Sequence, residues 1–424
     1  MDAYRYLLDL AIILLSTKVL GLLTKKVQMP QVVGALLAGL ILGPAGFGLL
    51  TETSFIHEVA EIGVIVLMFS AGMETDIKEL KASGKASFII ALFGVLVPLA
   101  GGYAVAWFFN KPGAIESDVT SPVFLQNIFI GVILTATSVS ITVETLKELG
   151  ALKSRSGNAI LGAAIIDDVL GIIALTIVTS LADDSVKIGM VLIKIVGFFV
   201  FSGVVGFVFY KMYKKWVDGA EKELHRHTII AFVFCLLMAF IAEEVFGVAD
   251  ITGAFFAGVI ISMTQEDQFI ASKFDVIGYM FLSPIFFASI GLKVDGDAVM
   301  SMGWTVAVFA VLLTVIAVVT KIIGCGLGAK VCGYKNYQCI RIGVGMISRG
   351  EVALIVANKG IEAGLMSSAV VAPVIIVVIV TTIVTPIVLK PVFMSGNKTA
   401  SDVPTTSKLV ENYEQREKIG KTNR

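Results

Sequence analysis

The sequence predicts an all-α polytopic membrane protein of about thirteen transmembrane helices, arranged as inverted repeats with two broken crossing helices. Three observations lead there. Apolar runs of spanning length recur from one end of the 424 residues to the other. Two pairs of these runs share a small-residue pattern at one common offset. Two adjacent aspartates, Asp167 and Asp168, stand in the middle of the apolar run AIIDDVLGIIAL.

Of all residues, 56% are hydrophobic and 16% charged, and mean hydropathy is +0.90. A soluble domain carries about a quarter charged residues. Net charge is zero and no nucleic-acid motif occurs, so nucleic acid is not an expected partner. A helix needs about 20 apolar residues to cross the hydrocarbon. Runs near that length lie at 4–24, 30–50, 57–74, 85–109, 122–147, 155–182, 187–213, 226–247, 249–264, 268–291, 299–331, 336–360 and 368–393.

Taken in order, the first run has no small-residue cleavage site before Lys25 and Lys26, so it reads as a retained helix rather than a signal peptide. The fifth carries Thr135, Thr137, Ser138 and Ser140 at its middle, and the twelfth carries Gly343, Gly345, Ser348, Arg349, Gly350 and Glu351 at its own. Both are weak helix formers at matching depth, and a broken helix is tolerated in a membrane only where its freed backbone groups are buried in protein or line a cavity. In the seventh, Lys194 can snorkel to the interface. Before the eighth, His225 and His227 are of the residue type that titrates near neutral pH, although a solvated loop histidine is the commoner case. Glu243 and Glu244 close the eighth at the interface, the ninth is short, and Pro284 kinks the tenth. Residues 1–394 form the membrane domain, and 395–424 are a polar cytoplasmic tail.

Loop charges set the orientation. Lys78, Lys81, Lys85, Lys153, Arg155, Lys214, Lys215, Lys330 and Lys335 fall on one side, with only Arg5, Lys111, Lys187, Lys293 and Lys359 on the other. Positive residues stay cytoplasmic, which places the amino terminus outside and the carboxyl terminus inside a multi-pass protein of the cytoplasmic (inner) membrane.

The second run, QVVGALLAGLIL, aligns with the ninth, DITGAFFAGVII, matching Gly34 to Gly253 and Gly39 to Gly258. At the same offset the third and tenth match Gly72 to Gly291 and Asp76 to Asp295. Small-xxx-small patterns recur in packed membrane helices, but that does not explain a shared offset. Seven runs separate each pair, an odd number, so the halves insert with opposite orientation. That is the plan of many secondary transporters, whose site lies at the midplane. Span 7 is left as a connector.

An ionisable residue at the bilayer centre costs about 2.5–3.5 kcal/mol on insertion scales. Asp167 and Asp168 point about 100° apart on a helix, so one can face an aqueous cavity while the other faces a neighbour. Lys321, in VVTKIIGCG, lies at similar depth and is the natural partner of one of them. Two carboxylates and one ammonium leave a charge of −1, which one monovalent cation or one proton neutralises. A static ion cluster that only fixes packing would leave that surplus without a ligand. Arg349 and Glu351 flank the suspected break and read as a salt bridge or cap that supports it. Cys235, Cys325, Cys332 and Cys339 lack the acidic or His partners of a metal site, and no cofactor motif occurs.

The stretches MPQVVGALLAGLILGP, AEIGVIVLMFSAGMETD, TATSVSITVETLKELG, AIIDDVLGIIAL, SPIFFASIGLKVD, TKIIGCGLGAK and SRGEVALIVANKG resemble the monovalent cation:proton antiporter-2 family, in particular its NapA-type sodium/proton exchangers. The resemblance covers about residues 28–394. It implies an NhaA/NapA-like fold, a homodimer, a scaffold of spans 1–3 and 8–10, and a mobile core of spans 4–6 and 11–13. It further implies that Asp168 is the ligand of cation and proton, that Asp167 pairs with Lys321, and that Thr137 and Ser138 contribute polar groups at the crossing.

The function expected is secondary active exchange of Na⁺ or Li⁺ for H⁺. K⁺/H⁺ exchange is the alternative, although potassium-efflux members usually carry a nucleotide-binding domain that this sequence lacks. A sodium-coupled symporter of organic anions is disfavoured by Lys321 beside the paired aspartates. A passive channel is disfavoured by the lack of a filter signature, and a membrane enzyme by the lack of a nucleophile–base set.

Overall fold

The computed structural model describes residues 4–394 apart from 27–28, 76, 112–118, 120, 183–187, 220–223, 265 and 295–302. Asp76 and Asp295 of the repeat motif, the tail 395–424, and the side chains of His225 and Glu351 lie outside the described residues.

The described residues form helices α1 (Arg5–Lys26), α2 (Gln31–Leu42), α3 (Ser54–Glu74), α4 (Ile77–Phe109), α5 (Val123–Ile133), α6 (Val139–Glu148), α7 (Arg155–Ala182) and α8 (Ile188–Gly219). They continue through α9 (Leu224–Phe240), α10 (Asp250–Ile261), α11 (Asp267–Ile277), α12 (Ser283–Leu292), α13 (Trp304–Val331), α14 (Asn336–Gly345), α15 (Glu351–Glu362) and α16 (Val371–Met394). Nine helical stretches among the described residues are long and apolar enough to cross a membrane. The short helices α2 and α10, and the pairs α5–α6 and α14–α15, complete the thirteen spans read from the sequence.

Local chemistry explains several boundaries. Thr53 caps α3, its hydroxyl accepting from the Ile56 amide, a bond that satisfies a donor the first turn cannot pair internally. In the tenth span, α11 widens into a π turn at Gly278–Leu282 before α12 begins, with Pro284 in the first turn of α12. A proline is tolerated there because it lacks the amide that the helix interior would need. In the eighth, α9 ends in a π turn that carries Glu243 and Glu244, both exposed. The Glu243 carboxylate accepts from the Asp250 amide at the start of α10. Lys194 is exposed on α8, where its stem can lie along apolar surface.

Two groups of helices emerge from the packing. In one, α2 lies between α1 and α12, and α3 between α10 and α12, with α9 on α10. In the other, α4 lies along α13, α7 and α5, while α13 also packs on α14 and α16. Helix α8 touches both, through α7 and α10. The repeat glycines make the contacts inside the first group. A Cβ on Gly72 of α3 would come within 3.0 Å of Gly258 of α10, and the reverse holds equally. Gly39 of α2 abuts the Ala288 carbonyl of α12, and Gly291 of α12 abuts Leu40 and Gly39 of α2. Because α10 repeats α2 and α12 repeats α3, the two contacts exchange under the internal symmetry. Backbones can approach this closely only where side chains are absent.

Candidate functional site: paired aspartates beside two crossed helix breaks

The fifth and twelfth spans break where their sequences weaken. Helix α5 ends at Ile133 and α6 starts at Val139; α14 ends at Gly345 and α15 starts at Glu351. Hydroxyls of Ser and Thr compete with the helix ladder for backbone groups, and glycine lowers helix stability by about 1 kcal/mol. Here the freed groups pair across the crossing. The Ser138 amide donates to the Ser348 carbonyl at 2.7 Å, and the Ser348 hydroxyl donates to the Ser138 carbonyl at 2.7 Å. Thr142 donates to the Gly345 carbonyl at 2.7 Å, and Thr382 of α16 donates to the Arg349 carbonyl at 2.6 Å. Gly350 is required by this approach: a Cβ there would lie 2.8 Å from Ser138 Oγ.

Arg349 is fully buried. Its guanidinium donates to the carbonyls of Leu134 at 2.6 Å, Ile347 at 2.5 Å and Ala317 at 3.2 Å. Leu134 and Ile347 follow the C-terminal ends of α5 and α14, where a helix dipole is equivalent to about half a negative charge. The sequence reads Arg349 and Glu351 as a salt bridge or cap; the Glu351 side chain lies outside the described residues, and the described guanidinium bonds of Arg349 run to backbone carbonyls of both breaks and of α13. Its Nε atom has no partner among the described residues. Glu351 opens α15.

The two aspartates on α7 have different surroundings. Asp167 is 2% exposed and Lys321 is fully buried. Lys321 Nζ lies 2.9 and 3.0 Å from the two carboxylate oxygens of Asp167, and Thr137 Oγ1 donates to the same carboxylate at 2.6 Å. Gly94 of α4 closes over the pair, since a Cβ there would lie 3.6 Å from both Asp167 and Lys321. Asp168 is 9% exposed, and its carboxylate makes no hydrogen bond or ion pair among the described residues. Ser138 is turned to the crossing, with its hydroxyl 3.2 Å from that of Ser140, so Thr137 and Ser138 serve different neighbours.

The formal charges of Asp167, Asp168, Lys321 and Arg349 cancel. The guanidinium is nevertheless engaged by two C-terminal helix ends, each about −0.5, and bonds neither carboxylate. One negative charge remains unmatched by a side chain, on Asp168. The N-terminal ends of α6 and α15 meet the same crossing with positive partial charge.

A cavity of about 930 Å³ is lined by residues of α1, α2, α3, α11 and α12 and, from the broken fifth span, by residues of α6. Val66, Phe274 and Phe287 form part of its wall, and Glu74, Glu144 and Lys147 stand at its charged end. The paired aspartates do not line it. Residues that sequence reasoning passed over include Gly94, Thr142 and Thr382. Only tertiary contact marks them, because single small or hydroxyl residues are ordinary in membrane helices.

The architecture and the sequence match known proteins throughout. The family model described as sodium/hydrogen exchanger, transmembrane, matches residues 11–395. A probable Na(+)/H(+) antiporter, GerT of Bacillus cereus, is 39% identical over 85% of this chain and 92% of its own. The Na(+)/H(+)-K(+) antiporter GerN of Bacillus cereus is 37% identical over 86% and 90%. The Na(+)/H(+) antiporter of Enterococcus hirae is 33% identical over 90% and 96%. The sodium proton antiporter MjNhaP1 of Methanocaldococcus jannaschii superposes with a TM-score of 0.67 at 16% identity, covering 93% of this chain and 98% of its own, a likeness of fold alone. With its family match running almost the length of the membrane domain, the chain belongs to the sodium/hydrogen exchanger family.

Proposed function

We propose that the protein exchanges Na⁺ (or Li⁺) for H⁺ across the cytoplasmic membrane, with Asp168 as the shared ligand of the two ions. The observation that carries this is the contrast on α7. Asp167 is held by Lys321 and Thr137, whereas Asp168 has no hydrogen-bond or ion-pair partner among the described residues and retains some exposure. A cation neutralises the Asp168 carboxylate, and so does a proton, but the two cannot occupy it together. A site carrying an unmatched charge crosses the low-dielectric region reluctantly. The loaded site crosses in either form, and exchange follows from that competition.

In this reading α4–α7 and α13–α16 form a core that moves against a scaffold of α1–α3 and α9–α12, with α8 as connector. Arg349 keeps the broken helices joined during the movement. The parity of thirteen spans and the positive loops support an outer amino terminus and an inner carboxyl terminus. A homodimer in the lipid bilayer is the expected assembly. Potassium remains the second reading on a specific ground, since the relative GerN carries both Na⁺ and K⁺ in its name.

Proteoliposomes with an internal pH dye test the proposal. Adding Na⁺ should move protons against it in the wild-type protein and not in Asp168→Asn. Equal exchange in that variant would remove Asp168 as the ligand.

A further inference from the structure

Two consecutive residues at the end of α6 bind three helices of the proposed scaffold, α2, α3 and α11. Lys147 Nζ lies 3.1 Å from Glu74 at the end of α3 and 3.3 Å from Asp275 on α11. The Glu148 carboxylate accepts from the Gln31 amide, at 2.8 and 3.0 Å to its two oxygens. That amide is the first of α2, whose cap position is Pro30 and offers no side-chain bond. A carboxylate on an uncapped helix N-terminus satisfies a free donor and the helix dipole together. Gln31 is held in turn, its side chain accepting from Tyr279, which accepts from Lys18.

We infer that Lys147 and Glu148 are positioning residues that form a reversible catch, holding the helices around the paired aspartates in the state where the 930 Å³ cavity is open. The inference rests on the alternating-access reading above. Any movement of α6 relative to α2, α3 and α11 must break these contacts. Their chemistry suits repeated breaking: the side chains of Lys147, Glu74 and Asp275 are 17%, 19% and 40% exposed, so water can replace the partners when the pairs part. The sealed Asp167–Lys321 pair, at 0% exposure on both sides, is the opposite case and travels intact. Glu144, one turn before Lys147 on the same helix and lining the same cavity, makes no hydrogen bond or ion pair among the described residues. It moves with Lys147 and supplies a counter-charge once Glu74 and Asp275 are left behind.

The catch is tested by reading how often the cavity is open. A cysteine at Ser272, partly exposed in its wall, is labelled with a charged maleimide in detergent, and the rate is taken over that of the same protein without the added cysteine. Lys147→Gln should slow labelling by roughly threefold or more, as befits the loss of two part-buried ion pairs, and Lys147→Arg should keep the wild-type rate. Choline chloride at about 1 M, which screens charges beyond about 3 Å, should slow the wild type towards the variant and leave Lys147→Gln unchanged. A purely structural staple would lower the melting temperature without this salt response. An unchanged or faster rate in Lys147→Gln overturns the catch. If that variant is not monodisperse, the Glu74→Gln/Asp275→Asn pair is read in the same way. Labelling needs no ion gradient, so a failure of antiport in liposomes and a failure of the catch remain distinguishable.

Discussion

Arg349 donates to the Leu134 carbonyl, so a residue of one helix break holds the free end of the other, from the opposite half of the chain. Since Arg349 also bonds Ile347 and Ala317, its loss strands several buried acceptors at once. Arg349→Met should lower stability by about 3–5 kcal/mol, the range for removing one partner of a buried charged contact. Thermal melting in detergent measures it, and a shift of only a degree or two would show that the carbonyls find other donors.

Lys321→Gln leaves Asp167 buried with Thr137 as its one remaining hydrogen-bond donor among the described residues. A drop of about 3–5 kcal/mol is expected. The double variant Asp167→Asn/Lys321→Gln should recover part of it, because neither charge is then uncompensated. A double-mutant cycle on melting reads the coupling; strict additivity would mean that the pair is not coupled.

Asp168→Asn should not lower the melting temperature, since the described contacts of Asp168 include no bond to lose and the variant removes an unmatched buried charge. Transport and stability therefore separate at Asp168 and fall together at Lys321. Melting curves on the protein used for the flux assay check this directly.

Competition for one carboxylate fixes the sign of the pH effect. Protons occupy Asp168 increasingly as pH falls, so the apparent KM for Na⁺ should rise on acidification, by at most about tenfold per pH unit. The maximal rate at saturating Na⁺, with the opposite side held constant, should not change. Initial rates across a Na⁺ series at several pH values decide it. A KM independent of pH would indicate separate sites for the two ions.

Gly258→Ala puts a methyl group against the Phe69 carbonyl and Gly72. With backbone as the obstacle, α3 and α10 must separate, and overpacking of this kind costs about 1–3 kcal/mol. Gly39→Ala should behave alike through Ala288 of α12. The measure is again thermal melting, and a neutral Gly258→Ala would show slack at the symmetry-related contact.

Much of this protein is legible without coordinates, and the reason is the bilayer. Lipid offers backbone groups no hydrogen bonds, so spans announce themselves by length and apolarity. The matched offsets of Gly39 with Gly258 and Gly72 with Gly291 identify the repeat, because close backbone approach tolerates nothing larger. Hydroxyls and glycines at matching depth mark both breaks. Partner choice was not legible in the same way. Lys321 lies 154 positions from Asp167, and only the packing of α13 and α7 against α4 decides that its ammonium reaches this aspartate and not the next. The bonds of Arg349 to carbonyls were equally hidden, since every residue has a carbonyl and sequence does not say which ones a chain break leaves free. The residues thus determined where charge is buried; tertiary packing determined which charge is satisfied, because a side chain's partners depend on neighbours far away along the chain.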